Sequence, residues 1–337
     1  MNHPFAALSR RKMRRAITTL GLTACALASV PALAQGVPAG WPNQPIKIIV
    51  PFPAGGASDQ IGRLAAKMLS DELKVPVVVE NRAGANGSLG AVLVTKAAPD
   101  GYTLLVASIG VYAINAGLYS KLPYDPLKDF APISVLVSTP NVMVVPANSP
   151  FKTGRELADF IKKNPGKLSY ASAGNGSSDH LTAELFKKSI NGFAVHIPYR
   201  GGAPAMQDIM GGQPDFMFSN LGPAAPFIKA GRMKALMLTA SKRAPLLPDV
   251  PTASSMGIPV EVTSWQAIAA PAGTPPAIVQ RLNQIVVKGM NAPDIRERMA
   301  TQGFDIVANS PPEFSTFLQK EVTRWKAAVT ASGARLD

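Results

Sequence analysis

The chain of 337 residues carries 34 Lys and Arg against 21 Asp and Glu, a formal net charge of +13, and one cysteine. That cysteine, Cys25, excludes an internal disulfide and leaves no thiol nucleophile or thiolate metal ligand further along the chain. No dense basic tract with interleaved aromatics occurs, so nucleic acid is not an expected partner.

The first segment reads as an export leader. Arg10, Arg11, Lys12, Arg14 and Arg15 precede an apolar run over 16–30, and Ala32-Leu33-Ala34 supplies a small-x-small site before Gln35. Residues 1–34 are therefore expected to be a signal peptide, cleaved near Ala34–Gln35, that directs the protein to the periplasm. Leu22-Thr-Ala-Cys25 offers a lipid anchor as the alternative, and Ser9-Arg-Arg-Lys-Met13 loosely matches a twin-arginine signal. The five basic residues of the leader account for part of the net charge, and +8 remains on the rest. Those remaining residues exceed one ordinary core and predict two lobes. No later apolar run reaches the roughly 18 residues of a membrane span.

From residue 46 on, short β-branched runs alternate with helical patterns, which predicts an α/β fold. Strands are expected at 46–52, 75–80, 103–107, 133–146, 168–172, 195–198, 215–219, 235–239, 261–269 and 305–307. Helices are expected to begin near Ser58, Ser88, Gly154, Ser178, Ala203, Pro275 and Pro312, several of them after Ser, Gly or Pro. The runs 133–146 and 261–271 are longer than a typical strand. Such a pair suits a chain that crosses between lobes and returns, giving lobe 1 as 36–140 plus 266–337 and lobe 2 as 141–265.

The candidate chemistry sits in the turns between strands and helices. The first strand stops at Pro51-Phe-Pro-Ala-Gly-Gly-Ala-Ser-Asp59, where a helical pattern begins at once. This turn aims the N–H groups of Gly55, Gly56, Ala57 and Ser58 beyond the strand end. A helix N-terminus there carries about half a positive charge and favours an anion without a lysine. A second turn of the same kind runs from Ser172 to Asp179, so two anion-seeking turns predict a jaw that closes on a small acid. Gly201-Gly202 and the loop Gly84–Gly90 repeat the scheme, and ligands sit at the carboxyl ends of strands in such sheets. Asp59 reads equally as a helix cap or a ligand contact, and Asp215 as a residue fixing the hinge side of the cleft. Phe52, Tyr112, Tyr170 and Trp265 are candidate pocket walls.

Rival chemistries fit less well. Neither the dinucleotide G-x-G-x-x-G pattern nor G-x-x-x-x-G-K-[ST] occurs, and no metal-ligand spacing surrounds His180 or His196. An exported serine hydrolase using Ser177 or Ser178 with His180 is the alternative. It lacks a G-x-S-x-G elbow, and adjacent residues on one helical turn point in different directions.

The ordered motifs Pro51–Asp59, Val79-Glu-Asn-Arg-Ala-Gly-Ala-Asn-Gly87, Ala98-Pro-Asp-Gly-Tyr-Thr-Leu104, Leu122-Pro-Tyr-Asp125, Ala173-Gly-Asn-Gly-Ser177, Pro198-Tyr-Arg-Gly-Gly-Ala-Pro-Ala205, Leu247-Pro-Asp-Val-Pro-Thr252 and Ala270-Pro-Ala-Gly-Thr-Pro275 resemble the Bug family. These are periplasmic solute receptors of tripartite tricarboxylate transporters, and the resemblance covers essentially the whole chain after the leader. It implies a two-lobe periplasmic binding protein, type II-like, with two mixed sheets flanked by helices and joined by two crossover strands. Carried onto this chain, it implies ligand-binding roles for Phe52, Gly55, Gly56 and Asp59 in the first jaw, with Ser108 nearby. Ser172, Gly174, Asn175, Ser177 and Ser178 would form the second jaw, with Gly201 and Gly202 as a further loop and Asp215 and Asn220 near the hinge. The expected ligand is a small dicarboxylate or aromatic acid, delivered to a membrane permease or a sensor kinase. No catalysis and no cofactor are expected, and the receptor is expected to act as a monomer. Val111-Tyr112 and Ser255 depart from the family pattern, the first as a possible aromatic addition to the pocket wall.

Overall fold

The computed structural model describes residues 37–332; the expected leader, Cys25 and the cleavage site lie outside them. The chain begins with β1 (Ile46–Val50), α1 (Ala57–Leu73), β2 (Val77–Asn81), α2 (Ser88–Thr95) and β3 (Thr103–Ser108). A π-helical turn, Gly110–Ile114, runs into α3 (Asn115–Leu118), and β4 (Phe130–Pro146) follows with 17 residues. Next come α4 (Gly154–Lys163), β5 (Ser169–Ser172), α5 (Ser178–Ser189), β6 (Val195–Pro198), α6 (Gly202–Met210), β7 (Phe216–Asn220), α7 (Leu221–Lys229) and β8 (Met233–Leu238). The chain ends with β9 (Thr263–Pro271), α8 (Pro276–Met290), α9 (Pro293–Thr301), β10 (Asp305–Ile306) and α10 (Pro311–Ser332).

The long strand β4 belongs to two mixed sheets. From Phe130 to Pro140 it pairs antiparallel with β9, in a first sheet that continues through β3 and β1 to β2, with β10 on its other side. From Asn141 to Pro146 it pairs with β7 and β8, in a second sheet that continues through β5 to β6. The return leg runs between β8 and β9, where Val262 N–H donates to Thr239 O at 2.9 Å. Strand β9 lies wholly in the first sheet, beginning with Thr263 opposite Pro140.

Both sheets are covered on two faces, which is why their central strands read as continuous apolar runs. Ile46, Ile48, Leu104 and Val106 face α1 and α8, whereas Leu105 and Ala107 enter a second core. In β4, Val142 and Val144 pack with the α6 and α7 residues, and Met143 and Val145 point the other way. This is the two-residue alternation of a strand. Helix starts follow local chemistry: the Thr153 hydroxyl caps α4 by accepting from Glu156 N–H, and Ser177 caps α5 by accepting from His180 N–H. Helices α3, α7 and α9 escape the sequence reading. Pro223 and Pro226 interrupt the helical pattern of α7.

Candidate functional site

A cleft of about 660 Å³, counting its open mouth, lies where the two sheets present their carboxyl-end turns to each other. The first turns of four helices line it: Ala57 and Ser58 of α1, Ser178 and Asp179 of α5, Gly202 and Ala203 of α6, and Pro223 of α7. Four positive dipole ends on one cavity lined by no Lys or Arg make a site for negative charge.

The turn after β1 is built to leave donors free. Gly55 takes φ +88°, a conformation that favours glycine, and its N–H donates to Asp59 Oδ2 at 3.0 Å. Asp59 also accepts from Asn81 Nδ2 and pairs with Arg63, each at 3.0 Å. Burial works against that carboxylate, but the Arg63, Gly55 and Asn81 bonds outweigh it and hold Asp59 below its ordinary value. With the turn braced from behind, the N–H groups of Gly56, Ala57 and Ser58 find no acceptor among the described residues. Ser58 Oγ donates to Gln266 Oε1 at 2.7 Å, which leaves the fully buried Gln266 Nε2 without a partner. Such an orphan donor on a cleft wall is a polar group waiting for an acceptor.

The second turn is built differently. Its N–H groups are mostly used inside the turn: Ala173 to Asp179 Oδ2, Gly174 to Ser172 Oγ, Gly176 to His180 Nδ1 and Ser177 to Gly174 O. Behind it, His180 stacks on His196 at 4.2 Å, and His196 stacks on Tyr170 at 4.7 Å. Burial holds both imidazoles neutral, pulling His180 down to about 4 and His196 to about 3. What this turn gives the cleft is hydroxyls and a carboxylate: Ser177, Ser178 and Asp179.

The expected residues divide as follows. Phe52, Gly56, Ser108, Ser177, Ser178, Gly201, Gly202 and Asn220 line the cleft. Gly174 and Asn175 line an adjoining vestibule of about 1190 Å³ that shares Phe52 and Gly201 with it. Gly55, Asp59 and Ser172 support the turns from behind and face neither cavity. The Ser172 hydroxyl lies 2.7 Å from His196 Nε2. Asp215 sits at the opposite end of β7 from Asn220, where its carboxylate accepts from Ser169 N–H at 2.7 Å. Tyr112 and Trp265 are core residues stacked at 5.9 Å, so Val111-Tyr112 adds no aromatic wall. Asn86, Asp179, Met206 and Gln266 also line the cleft, beyond the residues expected there. A lone Gln inside the apolar run Trp265–Pro271 was the available signal for the last.

The hydrolase alternative finds no support. Ser177 Oγ accepts from the His180 backbone N–H, Ser178 Oγ donates to Asp179, and the His180 ring accepts from Gly176. Neither hydroxyl meets an imidazole, so the nucleophile–base contact of a triad is missing.

The first turn and the loop before α6 come close across the cleft: a Cβ built on Gly201 would lie 3.2 Å from the Pro53 ring. Comparison with known proteins identifies the chain, because residues 61–334 match the tripartite tricarboxylate transporter family receptor. The chain belongs to that receptor family. The receptor is 36% identical to protein BugT of Bordetella pertussis, over 88% of this chain and 91% of BugT. It is 32% identical to Rpa4515 of R. palustris, solved with adipate, with a TM-score of 0.85 over 88% of this chain and 100% of that one. MatC of Rhodopseudomonas palustris, solved with bound malate, is 33% identical, with a TM-score of 0.82 over 86% of this chain and 100% of MatC. Members of this family are solute-binding receptors rather than enzymes.

Proposed function

We propose that the receptor captures a small organic acid between its two sheets in the periplasm and delivers it to a membrane permease of the tripartite type. Residues 36–140 with 266–337 form one lobe in this reading, and residues 141–265 form the other. The free N–H groups of Gly56, Ala57 and Ser58 carry the proposal: three donors on residues that line one cavity, with the unpartnered Gln266 Nε2 buried in its wall and no cation among the lining residues. A carboxylate is the small group that uses them all, directly or through a bridging water that costs about 0–2 kcal/mol in entropy. Adipate and malate in the structures of Rpa4515 and MatC point to the same ligand class. Closure follows because the acid touches both lobes and so favours the state in which Pro53 meets Gly201. A thermal-shift screen of the chain from Gln35 onward tests the reading. Ligand at 100 times its Kd adds about 2.7 kcal/mol, enough to raise the midpoint by several degrees. Small carboxylates should do this, and neutral sugars should not.

A further inference from the structure

The cleft is chemically polarised. Its first-sheet wall offers donors, the turn N–H groups and Gln266 Nε2. Its second-sheet wall offers acceptors. Asp179, only 4% exposed, lines the cleft, accepts from Ala173 N–H and Ser178 Oγ at 3.2 Å each, and pairs with no cation. Asn220 donates its amide to Asn141 Oδ1 at 2.6 Å and Ser178 Oγ at 3.3 Å, which leaves its own Oδ1 without a donor. Asp59 holds the matching place in the first turn, but its charge is spent on Arg63 and Asn81 and it faces away from the cleft. The two turns share a sequence pattern, but the second keeps its N–H groups for itself and leaves its carboxylate without a cation.

We propose that the ligand carries, beyond the carboxylate held by the first turn, an ammonium that meets Asp179, so that the receptor takes an amino-carboxylate in preference to a dicarboxylate of equal length. The inference rests on the carboxylate reading above. A second carboxylate brought against a buried, unpaired one requires a proton, because like charges at that distance cannot both stay ionised. Burial already pushes the Asp179 carboxyl up to about 7. The groups around it give no relief. His180, next on its own helix, is held neutral, and Glu184 one turn on is engaged by Lys187. α1 and β9 bring no charged side chain to the cleft, only Ala57, Ser58 and Gln266, and Arg200 lines the vestibule instead. An ammonium at this end meets two acceptors and needs no proton.

Calorimetric titration of the chain from Gln35 onward, at about pH 8.5 where Asp179 is ionised, tests this with matched pairs. The pairs are 4-aminobutyrate against succinate and 5-aminopentanoate against glutarate. The amino-carboxylate of at least one pair should bind tenfold or more tighter than its dicarboxylate. Asp179→Asn should lower its affinity by tenfold or more and raise that of the dicarboxylate. Equal or tighter dicarboxylate binding, with the ratio unchanged in Asp179→Asn, overturns the inference and leaves the carboxylate reading standing. Binding of neither class sinks both. Should Asp179→Asn fail to fold, the unaltered chain still decides. Its dicarboxylate affinity should rise between about pH 8.5 and pH 6, and an affinity that stays flat overturns the ammonium.

Discussion

Ser58 Oγ donates to Gln266 Oε1 at 2.7 Å, tying the first turn of α1 to strand β9 and turning the Gln266 amide nitrogen into a free donor on the cleft wall. The bond spans 208 residues of sequence, and it converts an apolar strand into part of an anion site. Gln266→Leu should therefore weaken carboxylate binding. A hydrogen bond to a charged group is worth about 1.5–3 kcal/mol, or roughly 10- to 150-fold in affinity. The folded state should lose about 1–3 kcal/mol, because the buried Ser58 hydroxyl loses its acceptor, offset in part as the orphan donor leaves with the Gln266 side chain. Calorimetry for affinity and a melting curve for stability separate the two effects.

Gly201 faces Pro53 across the cleft and takes φ +130°, a backbone conformation that side chains rarely adopt. Gly201→Ala adds both local strain and a 3.2 Å contact that exists only when the jaw is shut. It should destabilise the closed state by about 1–2 kcal/mol, roughly a 5- to 30-fold loss of affinity. Small-angle scattering of the ligand-saturated variant should show a more open particle than the unaltered protein at equal saturation.

Asp59 braces the first turn from behind. Asp59→Asn keeps the shape but removes the Arg63 ion pair and sets an amide against the Asn81 amide, so a loss of about 1–2 kcal/mol in stability is expected. Because the folded carboxyl is held below its ordinary value, this contribution is present above the unfolded value near 3.9 and fades as pH falls through the folded one. Chemical denaturation at neutral pH should show the gap between variant and parent, and denaturation at pH values falling progressively below the unfolded value should narrow it.

The second turn holds two buried groups whose titrations oppose each other. His180 titrates near 6.5 unfolded and at about 4 folded, so falling pH in that window protonates only the unfolded chain and lowers stability. Asp179 is raised to about 7, so between about 4 and 7 only the folded chain holds its proton and rising pH lowers stability. His180→Gln should therefore make stability fall more steeply as pH rises across that window, and Asp179→Asn should do the reverse. Denaturation midpoints at several pH values read these slopes directly, and a slope that shifts opposite to its prediction would contradict that group's assignment.

Much of the fold is legible in the sequence, because strand and helix periods survive in single segments. The expected strands 46–52, 168–172, 215–219 and 133–146 need no partner to be read, and they fall on β1, β5, β7 and all but the first three residues of β4. The wall of the cleft is less legible because it depends on side-chain direction. Asp59 and Asp179 each follow a Gly- and Ser-rich turn in the first turn of a helix. Only Arg63 and Asn81 decide that one points away, and Asn81 comes from another strand. Trp265 reads as a pocket wall until Glu321 of α10, 56 residues on, accepts its indole N–H at 2.9 Å and fixes it in the core. Gln266, its neighbour, reads as strand filling and lies on the cleft.

The most direct test is binding by the unaltered chain beside Gly56→Asp. A Cβ on Gly56 meets nothing closer than the Pro53 carbonyl oxygen at 4.0 Å, so the variant should fold. Its carboxylate, however, stands where the ligand's would. Calorimetric titration with a panel of small carboxylates should give saturable, one-site binding without turnover for the unaltered chain and none for Gly56→Asp. Equal affinity in the two proteins, or binding of neutral sugars in place of acids, would contradict a receptor that holds a carboxylate at the first turn.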